Sequence, residues 1–405
     1  MNPQSNPESS QIRNPKPGKG GWFRTVLYLG VTVFLCLGLM ELVLTLAFPI
    51  RAEEKLACEQ DIPGLKRLVV YETNRFGLRS DTINTLTPPP STCRILCLGA
   101  STIQQSTKNL ADTWSEILRG MLAREFSGRG LRVEMGSFGL GGRRALDRLV
   151  WLKEGLPIVP PLNPFELEPD IIIFLEGVND LTLGGGPEDV YEDLEEKLNR
   201  KLDAARRGLK GLILDHSQLA RRLRLLYHTA YLRWQVSQGE VADWGDSNLE
   251  TLRATYQGYP FAARPERSVD PLLEFEFALD GILKITGRAG IETVLLGQPV
   301  LWKKGMSPAE KATQWMGLRT KTGWARSSGA WLLEEMTRFN RVQAEAAAAH
   351  GATYIDLDGK ISKGLENYID HCHFTDVGSA RVAQAIFPAL SRKVAEMEEA
   401  GLFRD

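Results

Sequence analysis

Short apolar runs alternate along the chain with longer segments of helical periodicity. The short runs lie at 94–99, 131–135, 170–175, 293–297 and 352–357. Apolar residues recur at helical spacing over 114–126, 145–153, 272–289, 331–350 and 376–397. Apolar strands that alternate with helices are typical of a parallel sheet with helices on both faces. The pattern therefore predicts a three-layer α/β/α domain with a mainly parallel sheet.

A longer apolar run lies near the N-terminus. Residues 26–48 contain a single charged side chain, Glu41, and would form about 34 Å of helix, enough to cross a bilayer. The run is longer than the apolar part of a cleaved signal peptide, and no small-residue cleavage motif follows it. We therefore expect an uncleaved transmembrane anchor at 22–49. The short basic tail before it, 1–21, is expected to be disordered and cytoplasmic, which leaves the rest of the chain outside, periplasmic or extracellular.

The chain after the predicted anchor divides into two parts. Residues 50–93 form a connecting segment that ends in a stiff run of three prolines, and 94–400 form the main domain. An insertion at about 185–270 separates the third and fourth predicted strands. Its basic helical part, 194–234, is either a docking surface for anionic polymers or lipid head groups, or an ordinary solvated helix face. We favour the solvated face, because leucines in this part supply a normal core stripe.

Composition excludes some classes of protein. The 49 basic and 50 acidic residues leave a net charge of −1, which argues against a nucleic-acid-binding protein. Five cysteines without a CxxC pair and only five histidines argue against a cysteine-based zinc module and a histidine-rich metal enzyme. Cys58 and Cys93 lie outside the predicted apolar strands and could form a disulfide in an oxidising compartment.

Four short motifs lie at or near the ends of predicted strands, where doubly wound sheets bind their ligands. They are Gly99-Ala100-Ser101-Thr102, Ser137-Phe138-Gly139-Leu140-Gly141-Gly142, Gly177-Val178-Asn179-Asp180 and Asp370-His371-Cys372-His373-Phe374-Thr375. A serine such as Ser101 becomes a nucleophile when a base removes its proton, and His373 suits that role. Asp370, three residues earlier, can fix the tautomer of this histidine. Glycine N–H groups and the Asn179 amide can donate to a developing oxyanion.

The same motifs also fit simpler interpretations. Gly and Ser cap many strand-to-helix turns, and Asn-Asp is a common turn pair. Asp370, His371 and His373 could instead bind a metal ion, but no second cluster completes such a site. We therefore expect neither a metal nor a cofactor. His371 is expected to face solvent or a neighbouring side chain, and Cys372 to pack as a small side chain.

In order and separation, the four motifs resemble the sequence blocks of the SGNH (GDSL-type) hydrolase family. The resemblance covers residues from about 70 to 397. It includes residues 74–79, Asn-Arg-Phe-Gly-Leu-Arg, which are similar to the lead-in of membrane-anchored members. Ala100 stands where the eponymous motif has Asp, and Ser137 where many members carry Asn. Neither departure removes a catalytic group.

The resemblance implies a flavodoxin-like fold and a catalytic site. In that site, Ser101 is the nucleophile, His373 the base and Asp370 the acid that orients the base. The oxyanion hole would consist of the N–H groups of Ser101 and Gly139 and the side chain of Asn179.

The function implied by the resemblance is that of a membrane-anchored serine esterase with an acyl-enzyme intermediate. The expected extracytoplasmic location suggests an O-acylated polysaccharide, peptidoglycan or lipid as substrate. The same triad would serve an O-acyltransferase of envelope polysaccharide, which would need a multi-span membrane protein as a partner to deliver the acyl donor. A non-catalytic envelope scaffold that kept the fold is a third alternative.

Overall fold

A five-stranded parallel sheet forms the centre of the protein. The structure is a computed structural model and describes residues 19–47, 55–62, 65–158, 162–189, 193–210 and 246–403. The strands of these ranges are β1 (Lys55–Ile62), β2 (Leu65–Glu72), β3 (Thr92–Gly99), β4 (Arg132–Gly139), β5 (Ile171–Leu175), β6 (Glu292–Leu296), β7 (Leu318–Thr320), β8 (Gly323–Ala325) and β9 (Thr353–Ile355). The central sheet has the order β4-β3-β5-β6-β9, and all neighbouring strands are parallel.

Helices cover this sheet in two layers. The helices of the described residues are α1 (Lys19–Ala47), α2 (Ser101–Gln104), α3 (Trp114–Phe126), α4 (Ala145–Glu154), α5 (Val178–Leu183), α6 (Leu194–Lys210), α7 (Asp246–Gly258), α8 (Pro271–Arg288), α9 (Pro308–Ala312), α10 (Gly329–His350) and α11 (Asp376–Glu399). Right-handed crossovers put the helix after β3 on one face and the helices after β4, β5 and β6 on the other. Accordingly, α3 packs against α11, and α8 packs against α4 and α10. The predicted three-layer α/β fold is confirmed.

The two middle strands β3 and β5 are buried along their whole length and are mostly apolar. All five residues of β5, Ile-Ile-Ile-Phe-Leu, are buried, and so is every residue of β3. Because helices cover both faces of the sheet, neither side of a strand meets water, and the alternation of a half-exposed strand is absent. One charged side chain in β3, Arg94, is buried in an ion pair with Glu134 of β4, with 2.7 Å between Nη2 and Oε2.

Two antiparallel hairpins lie outside the sequence predictions. β1 pairs with β2 inside the predicted connecting segment, and β7 pairs with β8 between β6 and α10. The predicted insertion at about 185–270 contains α6 and α7. Its residues 211–245, with much of the basic stretch, lie outside the described residues.

Helix α1 covers most of the segment predicted to span a membrane, 22–49. Within the described ranges, no helix combines the length and the apolar character that crossing a membrane requires. The predicted anchor is therefore not confirmed. Of the predicted disordered tail, residues 1–18 lie outside the described ranges, whereas 19–21 belong to α1.

Cys93 lies inside the core, and the prediction that it lies outside the apolar strands is wrong. It is the second residue of β3, which begins at Thr92, before the predicted start at 94, and its side chain is fully buried. Burial raises the pKa of its thiol well above the ordinary value. The thiol is free, and the side chain of Cys58 lies outside the described part of the chain. The structure therefore gives no support to a disulfide between the two.

Candidate active site

Ser101 lies at the carboxyl end of β3, on the turn into the short helix α2. The N–H groups of Ile103 and Gln104 donate to the carbonyl oxygen of Ala100 at 3.1 and 2.9 Å. Since Ser101 is the first residue of this helix, its own N–H has no acceptor within the helix. The strand order changes direction between β3 and β5, which is where doubly wound sheets bind ligands. The turn therefore presents a hydroxyl and an N–H donor together in that crevice.

Asp370 and His373 precede α11 and meet Ser101 in one hydrogen-bonded series. Nε2 of His373 lies 2.8 Å from Oγ of Ser101, and Nδ1 lies 2.7 Å from Oδ2 of Asp370. The backbone N–H groups of Cys372 and His373 both donate to Oδ1 of Asp370 at 2.9 Å. A nucleophile, a base and an orienting acid in this series make a serine hydroxyl reactive. The structure thus brings together the three residues that the sequence singles out.

The charges of Asp370 and His373 stabilise each other in this series. Burial by itself would raise the pKa of Asp370, but the positive charges of His373 and His371 and the hydrogen bonds to Asp370 hold it well below its usual range. Burial by itself would lower the pKa of His373, but the charge of Asp370 raises it well above the ordinary value. The site therefore favours an imidazolium beside a carboxylate. This is the state that a histidine base reaches when it deprotonates a serine.

Asn179 reaches across the end of the strand that carries Ser101. It is the second residue of α5, directly after β5, and its side chain is buried. Its Nδ2 donates to the carbonyl oxygen of Arg143, in the loop after β4, at 2.9 Å. Because β3 lies between β4 and β5 in the sheet, this hydrogen bond passes over the carboxyl end of β3. An amide nitrogen carries two hydrogens, and the bond to Arg143 uses one of them.

Gly139 has a packing role that the sequence did not predict. A Cβ at this position would lie 2.4 Å from the Gln104 nitrogen and 2.5 Å from the Ala100 oxygen, so only glycine lets β4 approach the turn of Ser101. In the ladder with β3, the N–H of Leu140 donates to the carbonyl of Gly99. Consecutive residues of a strand direct their backbone groups to opposite sides, so the N–H of Gly139 faces away from β3. This geometry does not support the predicted oxyanion role of Gly139.

Arg79 stabilises the segment that follows Ser101. The sequence did not single it out as a site residue. Its guanidinium donates to the carbonyl oxygens of Gln104, Gln105 and Lys108 at 2.7 to 2.8 Å, and its side chain is buried. Burial lowers the pKa of Arg79 to about 10, so the guanidinium stays charged at neutral pH. The bond to Gln104 satisfies a carbonyl group that the end of α2 leaves without a helical partner, and the other two attach the following loop. Arg79 ends the motif at 74–79, which was the one sequence signal for it.

His371 is buried, although the sequence allowed for a position that faces solvent. Its ring packs between the tryptophans Trp302 and Trp315, with centroids 5.7 and 5.2 Å away. The neighbouring Cys372 is buried as well, as expected for a small packed side chain. Trp315 also contacts Asp370 and His373.

The donor atoms of residues 370–375 show how well this motif could instead bind a metal ion. Potential ligand atoms of Asp370, Cys372 and His373 lie within 4.8 Å of one another. His371, which the sequence included among the potential ligands, is not part of this cluster. Asp370 and His373 direct their donor atoms at each other in a hydrogen bond, which a shared metal ion would have to replace. The arrangement therefore fits a triad better than a metal site.

A family model matches residues 97–381, a range that contains all four motifs. The chain belongs to the GDSL-like lipase/acylhydrolase family. At the level of this family, it is a hydrolase of carboxylic esters. A comparison with curated protein sequences gives no match.

Three solved structures resemble the chain at low identity, and the alignment covers 73% of this chain in each case. The acetyl xylan esterase AlAXEase is 12% identical over 98% of its own chain, with a TM-score of 0.38. A GDSL-like lipase from Parabacteroides merdae is 12% identical over 94% of its chain, with a TM-score of 0.39. The acetylxylan esterase Axe2 from Geobacillus stearothermophilus is 12% identical over 92% of its chain, also with a TM-score of 0.39. Membership of the family rests on the match over residues 97–381.

Proposed function

We propose that the protein is a serine esterase that works through a Ser101–His373–Asp370 triad. The observation that carries the proposal is the unbroken hydrogen-bonded series from Oγ of Ser101 to the carboxylate of Asp370. The serine is half-buried on the turn after β3, the histidine lies between its two partners, and the acid is buried.

The reaction proceeds in two halves. His373 takes the proton of Ser101 through Nε2 while Oγ forms a bond to the ester carbonyl carbon, and the carbonyl oxygen becomes an oxyanion. The N–H of Ser101 and the Asn179 side chain donate to this oxygen. The carbon–oxygen bond to the alcohol then breaks, His373 protonates the leaving alcohol, and an acyl-serine remains. A water molecule, deprotonated by His373, attacks the acyl-serine and releases the carboxylic acid and the free serine.

The proposed substrate is an O-acylated molecule outside the cytoplasm, such as an envelope polysaccharide, peptidoglycan or a lipid. The support is the proposed location of the catalytic domain outside the cytoplasmic membrane. A sugar hydroxyl in place of water in the second half would make the same triad an O-acyltransferase, which would depend on a multi-span membrane protein for its acyl donor. Analysis of the product distinguishes the two reactions, because only hydrolysis releases the free acid.

Removal of the base tests the proposed triad. His373→Ala should lower kcat on a small acetyl ester by about 10⁴-fold or more, as expected for a triad member. The matched control is Cys372→Ala, which changes the adjacent buried residue and should retain most of the activity. Equal losses in both variants, with metal in the purified protein and inhibition by chelators, would contradict the triad and favour a metal site.

Removal of an oxyanion donor tests the role of Asn179. Asn179→Ala should lower kcat by about 10²–10³-fold with little change in KM, because the donor acts mainly in the transition state. Asn179→Asp should be at least as harmful, since it places a negative charge beside the developing oxyanion. Asn340→Ala, which removes a buried amide that binds the Gln298 backbone, is the control and should keep its kcat. Wild-type turnover by both folded Asn179 variants would show that Asn179 is only a turn residue.

We also propose that the catalytic domain lies outside the cytoplasmic membrane and is held there by the N-terminal segment. The support is the apolar run at 26–48, with Glu41 as its single charge, behind a short basic tail. A reporter enzyme that works only outside the cytoplasm, fused after Asp405, should be active in the full-length protein. Activity of a cytoplasm-specific reporter at the same position would contradict the location and the class of substrate that follows from it.

A further inference from the structure

Trp315 contacts two members of the proposed triad at once. Its indole Nε1 donates to Oδ2 of Asp370 at 2.7 Å, the same oxygen that faces Nδ1 of His373. Its ring lies nearly parallel to the imidazole of His373, with 6.2 Å between the centroids and 11° between the planes. Trp315 therefore contacts Asp370 through a hydrogen bond and His373 through ring stacking.

The neighbours of Trp315 in the chain fix its position. The preceding residue, Gln314, is buried, accepts a hydrogen bond from the indole of Trp302 at 2.7 Å and donates to the carbonyl of Glu310. The following residue, Met316, has its sulfur 2.9 Å from the hydroxyl of Thr182, which belongs to α5. The segment is thus attached to the protein on both sides of Trp315.

The face of Trp315 toward the interior is filled by His371. The two rings meet edge to face, and Trp302 stacks on the far side of His371 at an interplanar angle of 12°. His371 is almost fully buried, and its ring restricts the rotation of the Trp315 indole on this side. The packing therefore fixes the direction of its N–H toward Asp370.

We propose that Trp315 is a positioning residue for the triad: its indole N–H fixes the Asp370 carboxylate, and its ring fixes the plane of His373. The inference rests on the proposed function, since it assigns a role in the same reaction. Trp315 acts through Asp370 and His373 and contacts neither the scissile bond nor Ser101 in this mechanism.

The indole N–H also sets how strongly Asp370 attracts a proton on His373. Each donor to a carboxylate shares its negative charge, so the loss of one donor leaves more of that charge for the imidazolium. Asp370, His371 and Cys372 face His373, and a change at Trp315 leaves all three in place. The pKa of His373 should therefore rise when the indole N–H is lost. Because the base must be neutral to accept a proton, the acid limb of the kcat/KM profile should move to higher pH.

The test compares Trp315→Phe with Trp324→Phe in the full chain. Trp315→Phe keeps an aromatic face against His373 and loses the N–H, so kcat on an acetyl ester should fall by about 10-fold. KM should stay within about 2-fold of wild type, since no substrate contact is removed, and the acid limb should move upward. Trp324→Phe makes the same substitution in β8, where the ring stacks on Tyr259, and should keep both the kcat and the pH profile of wild type.

A second replacement removes the N–H alone. Benzothienylalanine at position 315 has the shape of tryptophan with sulfur in place of the N–H, so it preserves the packing if Trp315→Phe fails to fold. Wild-type kcat and an unmoved acid limb in the folded benzothienylalanine protein would overturn the inference. Equal losses in Trp315→Phe and Trp324→Phe would also overturn it, because they would show a general packing role.

A spectroscopic measurement separates this inference from the proposed function. The proton between Nδ1 of His373 and Asp370 is expected to give a low-field proton NMR signal that is independent of turnover. The signal should shift in Trp315→Phe and stay in place in Trp324→Phe. Absence of esterase activity in the wild-type protein would contradict the proposed function, and an unchanged signal in Trp315→Phe would contradict the role of Trp315.

Discussion

The hydrogen bond between the Asp370 carboxylate and the His373 ring is the interaction on which the site depends. A buried carboxylate without partners would be strongly destabilising, and Asp370 is only 3% exposed. Its charge is compensated by the imidazole, the Trp315 indole and two backbone N–H groups. The same bonds direct Nε2 of the histidine at Ser101. The hydrogen bonds of this buried carboxylate and its histidine therefore connect the turn after β3, the segment before β7 and the loop before α11.

The strand order explains how much of this site could be predicted from the sequence. The carboxyl ends of parallel strands share one edge of a sheet, so residues that directly follow apolar runs are expected to lie near one another. Ser101 and Asn179 meet this condition after β3 and β5, which are neighbours in the sheet. Asp370 and His373 share one short motif, and their spacing of three residues already suggests a hydrogen bond. The three-layer fold could also be predicted, because short apolar runs that alternate with helices form a parallel sheet with helices on both faces.

The remaining features depend on contacts that no local pattern encodes. The N–H direction of Gly139 is set by the register of β4 against β3, which cannot be derived from glycine content. The sequence put Cys93 outside the apolar strands because the predicted strand starts at 94, whereas β3 begins at Thr92. Trp315 meets Asp370 across 55 residues of sequence, and Arg79 meets Gln104 across 25. Only the folded chain reveals that Trp315 contacts Asp370 and that Arg79 contacts the turn that carries Ser101.

The central claim is that Ser101 is an activated nucleophile, and covalent labelling tests it most directly. A fluorophosphonate reacts with a serine whose proton a neighbouring base removes, and it forms a stable adduct on that oxygen. Peptide mapping of the labelled protein by mass spectrometry should find a single adduct on Ser101, and Ser101→Ala should remove it. A folded wild-type protein that gives no adduct, or an adduct on another serine, would contradict the account.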